Sequence, residues 1–341
     1  MVAGEKSFDI EAIDKELSQL VKENRTKIRV IGIGGSGGNT LTRMKEIGIE
    51  GTELIAINTD AQDLLNTNAD SKLLIGREIT HGLGAGGDPI IGEESARESE
   101  GEIKKKILGA DMLFITCGLG GGTGTGAAPI IGEIARKRGM LTIGVVTLPF
   151  SIEGKERQEN AASGLEKLND VLDTLIVIPN NKLLNLAPEV PIDEAFKIAD
   201  ELLTNAVKGV TELITKPGLV NLDFADIKTI MSGGGVALIG IGESDSKNRV
   251  EEAVAKAIES PLLDVTIEGS TGALVNIIGG KDLTLDETKQ IIEVVSRKLN
   301  PEAKLIWGAQ VSKDMGKTLR IMLIVTGVKS PQIIGRKSEK E

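Results

Sequence analysis

Apolar and polar positions follow two rhythms along this chain. Short, mainly apolar runs at 28–33, 54–58, 72–75, 112–115, 141–147 and 174–178 have the length and branched side chains of buried strands. Between them, helical composition and three-and-four spacing mark 39–47, 61–65, 93–108, 127–138 and 155–168. Strand and helix in alternation, joined by short links, predict a mostly parallel sheet with helices on both faces. Ligands in such sheets gather at the carboxyl ends of the strands. Every glycine-rich loop of this region follows a predicted strand.

The rhythm changes at 192–214, a helical run too long for another crossover, which reads as a helix bridging two domains. After it, Asn221 to Asp226 opens a helix reaching about residue 231. Strands at 236–241, 273–278, 303–306 and 319–326, with helices at 247–258 and 285–299, predict a second α/β domain with a mixed sheet. Ahead of the first strand, Ile10, Ile13, Leu17, Leu20 and Val21 are spaced as one face of an amphipathic helix, packed on the body or serving as a partner-binding arm. The expected organisation is 1–26 as a helical extension, 27–190 as a nucleotide domain, 191–215 as the bridge, 216–329 as the second domain and 330–341 as a disordered tail.

Composition narrows the chemistry. With 40 Lys and Arg against 50 Asp and Glu, the net charge of −10 argues against a general nucleic-acid binder but permits one bound nucleotide held by backbone amides. One Cys and one His leave no zinc cluster or disulfide framework, which fits a reducing cytoplasm. No apolar run approaches the length of a membrane span, so direct insertion is not expected. Cys117, at the end of a buried strand, is expected to be structural.

The densest chemical signal is the stretch Cys117 to Gly126, placed between a predicted strand and a predicted helix. Its glycines let the backbone approach a ligand with several N–H groups converging, and the helix start adds its unpaired donors and the positive end of its dipole. Thr123 and Thr125 add hydroxyls for phosphate oxygens or a metal-bound water. A second loop, Gly32 to Asn39, contains G-x-G-x-x-G after a strand, and a third spans His81 to Pro89. One such match with Asp60 beyond the next strand would suit a nicotinamide-dependent oxidoreductase. Three glycine loops on three strand ends, with His81 as the sole imidazole, count against that reading. Gly316-Lys317-Thr318 imitates the end of a P-loop, but Val311 stands where its first glycine belongs and a strand follows, so it reads as a turn.

Together these loops resemble the FtsZ branch of the tubulin superfamily. The resemblance runs from about 28 to 328 and rests on Gly-Gly-Gly-Thr-Gly-Thr-Gly at 120–126, Asn58-Thr59-Asp60-Ala61-Gln62, Gly82-Leu83-Gly84-Ala85-Gly86, Pro149-Phe150 with Glu153-Gly154-Lys155, and Asn221 to Asp226. Thr125 looks like the FtsZ version of a position where tubulin and CetZ proteins usually carry Ser. The resemblance implies a tubulin-like fold: a Rossmann-type parallel-sheet GTP-binding domain, a long central helix and a second α/β domain. It also implies a cytoplasmic GTPase that polymerises head-to-tail into filaments of the mid-cell division ring, bound there by membrane-adaptor and other division proteins. A related cytoskeletal role in cell shape is the alternative.

The same resemblance implies the site residues. Gly35, Ser36, Gly37, Gly38 and Asn39 would cradle the phosphates and approach the base; Ser36 interrupts the glycine run and suits it if its φ is negative. Gly120, Gly121, Gly122, Thr123, Gly124 and Thr125 would hold the β- and γ-phosphates, with Gly84, Ala85, Gly86 and Gly87 closing over the γ-phosphate. Asn58 and Asp60 belong to the same nucleotide set. Glu153 and Arg157 would reach ribose and phosphate, or form an ordinary i,i+4 salt bridge at a helix start. Phe196 and Asp200, four residues apart on one helix face, would stack on a purine and accept N1–H and N2–H of guanine; alternatively they are a core ring beside a surface acid. Asn221, Asp223 and Asp226 read locally as a helix cap. In the family, that stretch completes the neighbouring subunit's site, where Asp223 and Asp226 would orient a water for attack on the γ-phosphate. Mg²⁺ would accompany GTP, held mainly by phosphate oxygens and waters. The tail, 330–341, lacks the apolar adaptor-binding peptide of bacterial relatives.

Overall fold

The computed structural model describes residues 26–186, 191–216, 218–220, 222–263 and 270–328. The expected N-terminal helix, Asn221 and the tail lie outside the described residues.

Ten strands form one continuous sheet: β1 Ile28–Ile33, β2 Thr52–Asn58, β3 Ser71–Leu74, β4 Met112–Gly118, β5 Leu141–Leu148, β6 Thr174–Pro179, β7 Gly235–Ser244, β8 Gly272–Gly279, β9 Lys304–Val311 and β10 Leu319–Thr326. Their order is β3-β2-β1-β4-β5-β6-β7-β10-β8-β9. The first six strands pair in parallel in the doubly wound order, whose reversal falls between β1 and β4. β10 is antiparallel to both of its neighbours, giving the mixed sheet expected in the second half. That sheet is not a separate layer: β7 joins β6 through the pairs Thr174↔Gly235, Leu175↔Val236 and Ile176↔Ala237.

The long helix is Ile192–Thr215. It lays Leu203, Ala206, Val207, Val210 and Leu213 on one face of the sheet, each 2% exposed or less. Each such side chain removed from water contributes about 1.5–3 kcal/mol for the larger aliphatics, enough to fix this helix across both halves. The opposite face is covered chiefly by Gly122–Arg136, Lys155–Val171, Arg249–Ile258 and Leu285–Lys298.

Strand positions follow the apolar runs, except that the strand expected at 303–306 continues to Val311 as β9, whereas two helices begin well before their expected starts. Gly34–Ile47 and Gly122–Arg136 each incorporate the glycines of the preceding loop as their first turns. The reason is close packing. A Cβ on Gly37 would lie 2.7 Å from the Gly32 carbonyl carbon and from the Thr116 carbonyl oxygen, so only glycine lets this helix lie flush on β1 and β4. The single helix expected at 93–108 is two, Pro89–Glu98 and Glu100–Ile107, divided at Ser99, whose hydroxyl accepts from the Gly76 N–H. Pro89 at the first helical position and Asp88 as cap move the start forward, with Asp88 accepting from the Ile90 N–H. Short helices at Arg77–Thr80 and Asn180–Leu186 were not foreseen. Gly316-Lys317-Thr318 does lead into a strand, β10, as a turn should.

Candidate functional site

The carboxyl ends of β1, β4, β5 and β6 enclose a cleft of about 310 Å³. It occupies the crevice where the strand order reverses, the position at which open α/β sheets bind ligands. Two helices, Gly34–Ile47 and Gly122–Arg136, start at its wall. Their first-turn N–H groups and dipoles favour an anion there. Side-chain charge does not: the lining contains Arg157 against Glu153 and Asp200, so a polyphosphate would depend on backbone donors.

From the first loop, Gly35, Ser36 and Asn39 line the cleft. Gly37 and Gly38 do not; both are buried beneath it, Gly37 against β1 and Gly38 where a Cβ would meet the Thr67 hydroxyl at 2.7 Å. Gly121, Gly122, Thr123 and Gly124 line it from the second loop, and the Thr123 and Thr59 hydroxyls are 2.7 Å apart. Gly120, at φ 103°, makes the turn, and its N–H donates to the Thr125 hydroxyl at 2.9 Å. Thr125 is 3% exposed and lies outside the lining, so its hydroxyl braces the loop rather than facing the cleft.

Asn58 and Asp60 also stand behind the wall. Asn58 Oδ1 accepts from the Thr59 and Asp60 N–H groups, and its Nδ2 donates to Asp63 at 2.7 Å. Asp60 caps Ala61–Asn66, accepting from the Gln62 and Asp63 N–H groups. This network holds the third loop: Asp60 bridges to Leu83, and the Gly84 N–H donates to the Thr59 carbonyl at 3.2 Å. Gly84, Gly86 and Gly87 all have positive φ, and none of them lines the cleft. Ala85 is buried against Gly122, where a Cβ would approach within 2.8 Å of the Ala85 methyl. The third loop therefore stands beside the cleft wall and touches it through Gly122.

Glu153 and Arg157 line the cleft and form the i,i+4 salt bridge at 2.8 Å, while Glu153 also accepts from the Phe150 N–H at 2.8 Å. Phe196 and Asp200 line it together from one helix face, so the reading of Phe196 as a core ring fails: it is 40% exposed. Its ring meets that of buried Phe150 nearly perpendicularly, with centroids 5.2 Å apart. Asp200 accepts from the Thr40 hydroxyl at 3.0 Å. Burial pushes its carboxyl up from 3.8 to about 6, against the opposing pull of that hydrogen bond.

Sequence reasoning missed Thr147 and Asn180, and cited Pro149 only as part of a family motif without placing it in the site. Asn180 is 4% exposed, and its Oδ1 is buried without a partner. A buried acceptor aimed at a cleft needs a donor, and a ligand N–H would supply one. The available signal was its position directly after a strand, the place shared by every other loop of the site.

Asp223 and Asp226 stand apart from the cleft. They form a reciprocal capping box at the start of Phe224–Met231, with Asp226 N–H to Asp223 at 2.8 Å and Asp223 N–H to Asp226 at 3.1 Å. The local cap reading is therefore realised in the single chain. His81 caps Arg77–Thr80 from the left-handed region at φ 51° and leaves the cleft without an imidazole. Cys117 lies fully buried under the loop, its thiol pushed up to about 12 by desolvation. Among the described residues no cluster of three His, Cys, Asp or Glu could hold a metal ion, and no helix is long and apolar enough to cross a membrane.

Comparison with known proteins agrees with this architecture. Residues 27–188 match the model for the Tubulin/FtsZ family GTPase domain, and 235–329 match that for the FtsZ family C-terminal domain. Cell division protein FtsZ 1 of Thermococcus kodakarensis is 58% identical over 96% of this chain and 88% of its own. Its Archaeoglobus fulgidus counterpart is 57% identical over 96% and 89%. Among solved structures, the empty FtsZ dimer of M. jannaschii superimposes with a TM-score of 0.89 at 56% identity, covering 93% of this chain and 92% of that one. CetZ1 of Haloferax volcanii, a GDP-bound monomer, shares the fold at TM-score 0.80 with 23% identity, over 91% of this chain and 96% of that one. The chain thus binds guanine nucleotide and belongs to the FtsZ family of tubulin-fold GTPases.

Proposed function

We propose that this GTPase assembles head-to-tail into filaments and hydrolyses GTP only where two copies meet. The observation that carries the reading is the separation of the two parts of a reaction centre. The cleft offers anion donors, an exposed ring and a base-reading acid, but of its two carboxylates Glu153 is held by Arg157 and the Phe150 N–H, and Asp200 by Thr40. Glu153 thus has both oxygens engaged, and the remaining oxygen of Asp200 is given in this reading to the guanine edge rather than to a water. Two adjacent carboxylates without a place in the cleft, Asp223 and Asp226, stand on a different helix. Each has an oxygen beyond the one used in the cap. The empty M. jannaschii FtsZ dimer supports pairing between copies. A contact joining unlike surfaces repeats without closing and so builds an open filament.

In this reading, the amides of 34–36 and 121–124 bind the phosphates, and Phe196 stacks on the purine. Asp200 and Asn180 read its edge: ionised Asp200 accepts N1–H and N2–H, a donor pair that adenine lacks. Arg157 reaches the ribose and phosphate region and releases part of its bond to Glu153. The 84–87 loop, with its positive-φ glycines, closes on the γ-phosphate from its seat against Gly122. Asp223 and Asp226 of the next copy, with Asn221, orient the attacking water and take up its proton. The donor set fits a Mg²⁺ held by phosphate oxygens and water, since the described residues provide hydroxyls such as Thr123 but no carboxylate cage. That ion would neutralise charge on the phosphates. The relatives' name, cell division protein, supports a role in division; a place in the division ring and adaptor proteins linking the filament to the membrane complete this reading.

The test is the GTPase rate per molecule as protein concentration rises. It should be close to zero in dilute monomer and rise steeply above a threshold that coincides with sedimentable polymer. Equal rates per molecule on both sides of that threshold would refute the two-copy site.

A further inference from the structure

Thr174, the first residue of β6, has no exposed surface. Its hydroxyl donates to the carbonyl of Met231 at 2.5 Å. Met231 ends the helix that Asp223 and Asp226 begin. The terminal carbonyls of a helix have no partner within it; this one also accepts from the Gly234 N–H of the following turn at 3.2 Å, so the Thr174 hydroxyl is the bond that ties it to β6. The turn that follows leaves no slack. A Cβ on Gly234 would lie 2.5 Å from the Thr174 hydroxyl and 3.2 Å from the Ile230 carbonyl oxygen, and the Gly235 N–H donates to the Asp173 carbonyl at 3.1 Å.

The other end of the acid-bearing segment is held differently. Leu219 and Val220 exchange backbone hydrogen bonds with Ala309 of β9, at 2.8–3.3 Å. That anchor belongs to the far half of the sheet. Thr174 is the anchor on the nucleotide half, and its strand runs directly into Asn180 in the cleft. One strand thus meets the nucleotide at its carboxyl end and the acid-bearing helix at its amino end.

We propose that Thr174 is a positioning residue for GTP hydrolysis: its hydroxyl pins the helix carrying Asp223 and Asp226 to the strand that leads to the same copy's nucleotide cleft. It touches neither substrate nor water and acts through the helix, about 12 Å long from cap to end. The proposal rests on the reading that Asp223 and Asp226 serve a neighbour's nucleotide. Losing the pin frees the helix end to shift, and displacements well under 1 Å at an attacking water already lower rates severalfold.

Thr174→Val keeps the shape and removes the donor, whereas Thr174→Ser keeps the donor. Both would be compared with wild type and Asp226→Ala for GTP affinity, turnover per sedimented subunit at saturating GTP, and amide hydrogen exchange. The Val variant is expected to bind GTP within about twofold of wild type and to turn over about tenfold more slowly. Exchange across 224–231 should be faster, and Ser should restore both rate and protection. Wild-type turnover in Thr174→Val beside a slow Asp226→Ala overturns the pin and leaves the two-copy site standing. Fast turnover in Asp226→Ala overturns the reading beneath it. Equal losses in Val and Ser mark a general packing role and overturn the pin as well. If the Val variant does not assemble, exchange decides: wild-type protection across 224–231 overturns the proposal.

Discussion

Lowering the pH through 6 should weaken GTP binding by way of Asp200 in particular. In the ligand-free protein, burial holds this carboxyl at about 6, and the Thr40 hydroxyl only partly offsets the desolvation. Guanine N1–H and N2–H need the ionised form, and their hydrogen bonds pull the bound pKa down again. Binding therefore releases a proton below about pH 7, and affinity falls as pH falls. At pH 5 only about a tenth of the ligand-free protein carries the ionised group, so affinity drops about tenfold relative to pH 8, or about 1.4 kcal/mol. The terminal phosphate of GTP titrates in the same range, so the informative quantity is the difference between wild type and Asp200→Asn. Isothermal titration below the assembly threshold, at several pH values and in buffers of different ionisation heat, measures both affinity and protons released. Asp200→Asn should bind more weakly at pH 8, discriminate less against ATP, and lose this component of the pH slope. Parallel slopes for the two proteins would refute the role given to this carboxylate. The raised pKa also sets a cost on the folded state without ligand. It is present above about pH 6, disappears as pH falls below the unfolded value of 3.8, and amounts to about 3 kcal/mol at neutral pH.

Asp226→Ala should bind GTP and assemble as wild type does while its turnover falls about a hundredfold or more, read as phosphate release per sedimented subunit. Asp226→Asn, which keeps an acceptor for the cap, should be equally slow, separating the lost charge from the lost cap. Thr125→Val removes the acceptor for the Gly120 N–H and should cost about 1–3 kcal/mol in urea unfolding, with a looser phosphate loop visible as weaker GTP binding. Arg249 is 8% exposed and bonds Glu287 at 2.7 Å, Asp282 at 2.8 Å and the Lys317 carbonyl at 2.7 Å. Arg249→Met strands those partners and should destabilise by about 3 kcal/mol at pH 7. The Arg249 hydrogen bond holds the Glu287 carboxyl below its usual 4.5, so its contribution is present above that value. It is lost as pH falls through the folded value, and the gap between wild type and variant should narrow in acid urea melts.

Strands were legible because a strand covered on both faces is mostly apolar, and both 28–33 in the parallel half and 319–326 between its antiparallel neighbours could be read to the residue. Helix starts at glycines were not. Glycine is a poor helix former, so 34–38 and 122–126 look like loop until the facing backbone is known. Gly37 illustrates the ambiguity: its absent side chain makes room for Gly32 and Thr116 rather than for a ligand. Phe196, Asp200, Glu153 and Arg157, named from the family resemblance, line one cleft, yet composition alone could not separate lining residues from those behind the wall. Thr125, Asn58 and Asp60 satisfy loop and cap donors, a task that polar residues at strand ends perform as often as ligand binding. Asn180-Asn181 after a strand has the composition of an ordinary turn, and the burial of Asn180 is what sets it apart. The union of the two halves into one sheet depends on β6 meeting β7 across a long stretch of intervening chain, which no local pattern encodes.

Cys117 has a practical consequence. It is the only sulfhydryl in the sequence, and it sits sealed beneath the glycine loop, with a thiol too weakly acidic to form the reactive anion at neutral pH. An engineered surface cysteine would therefore take up a maleimide dye selectively without removal of the native one. The native thiol would in turn serve as an intrinsic alarm: alkylation at Cys117 would signal that the roof over β4 had lifted.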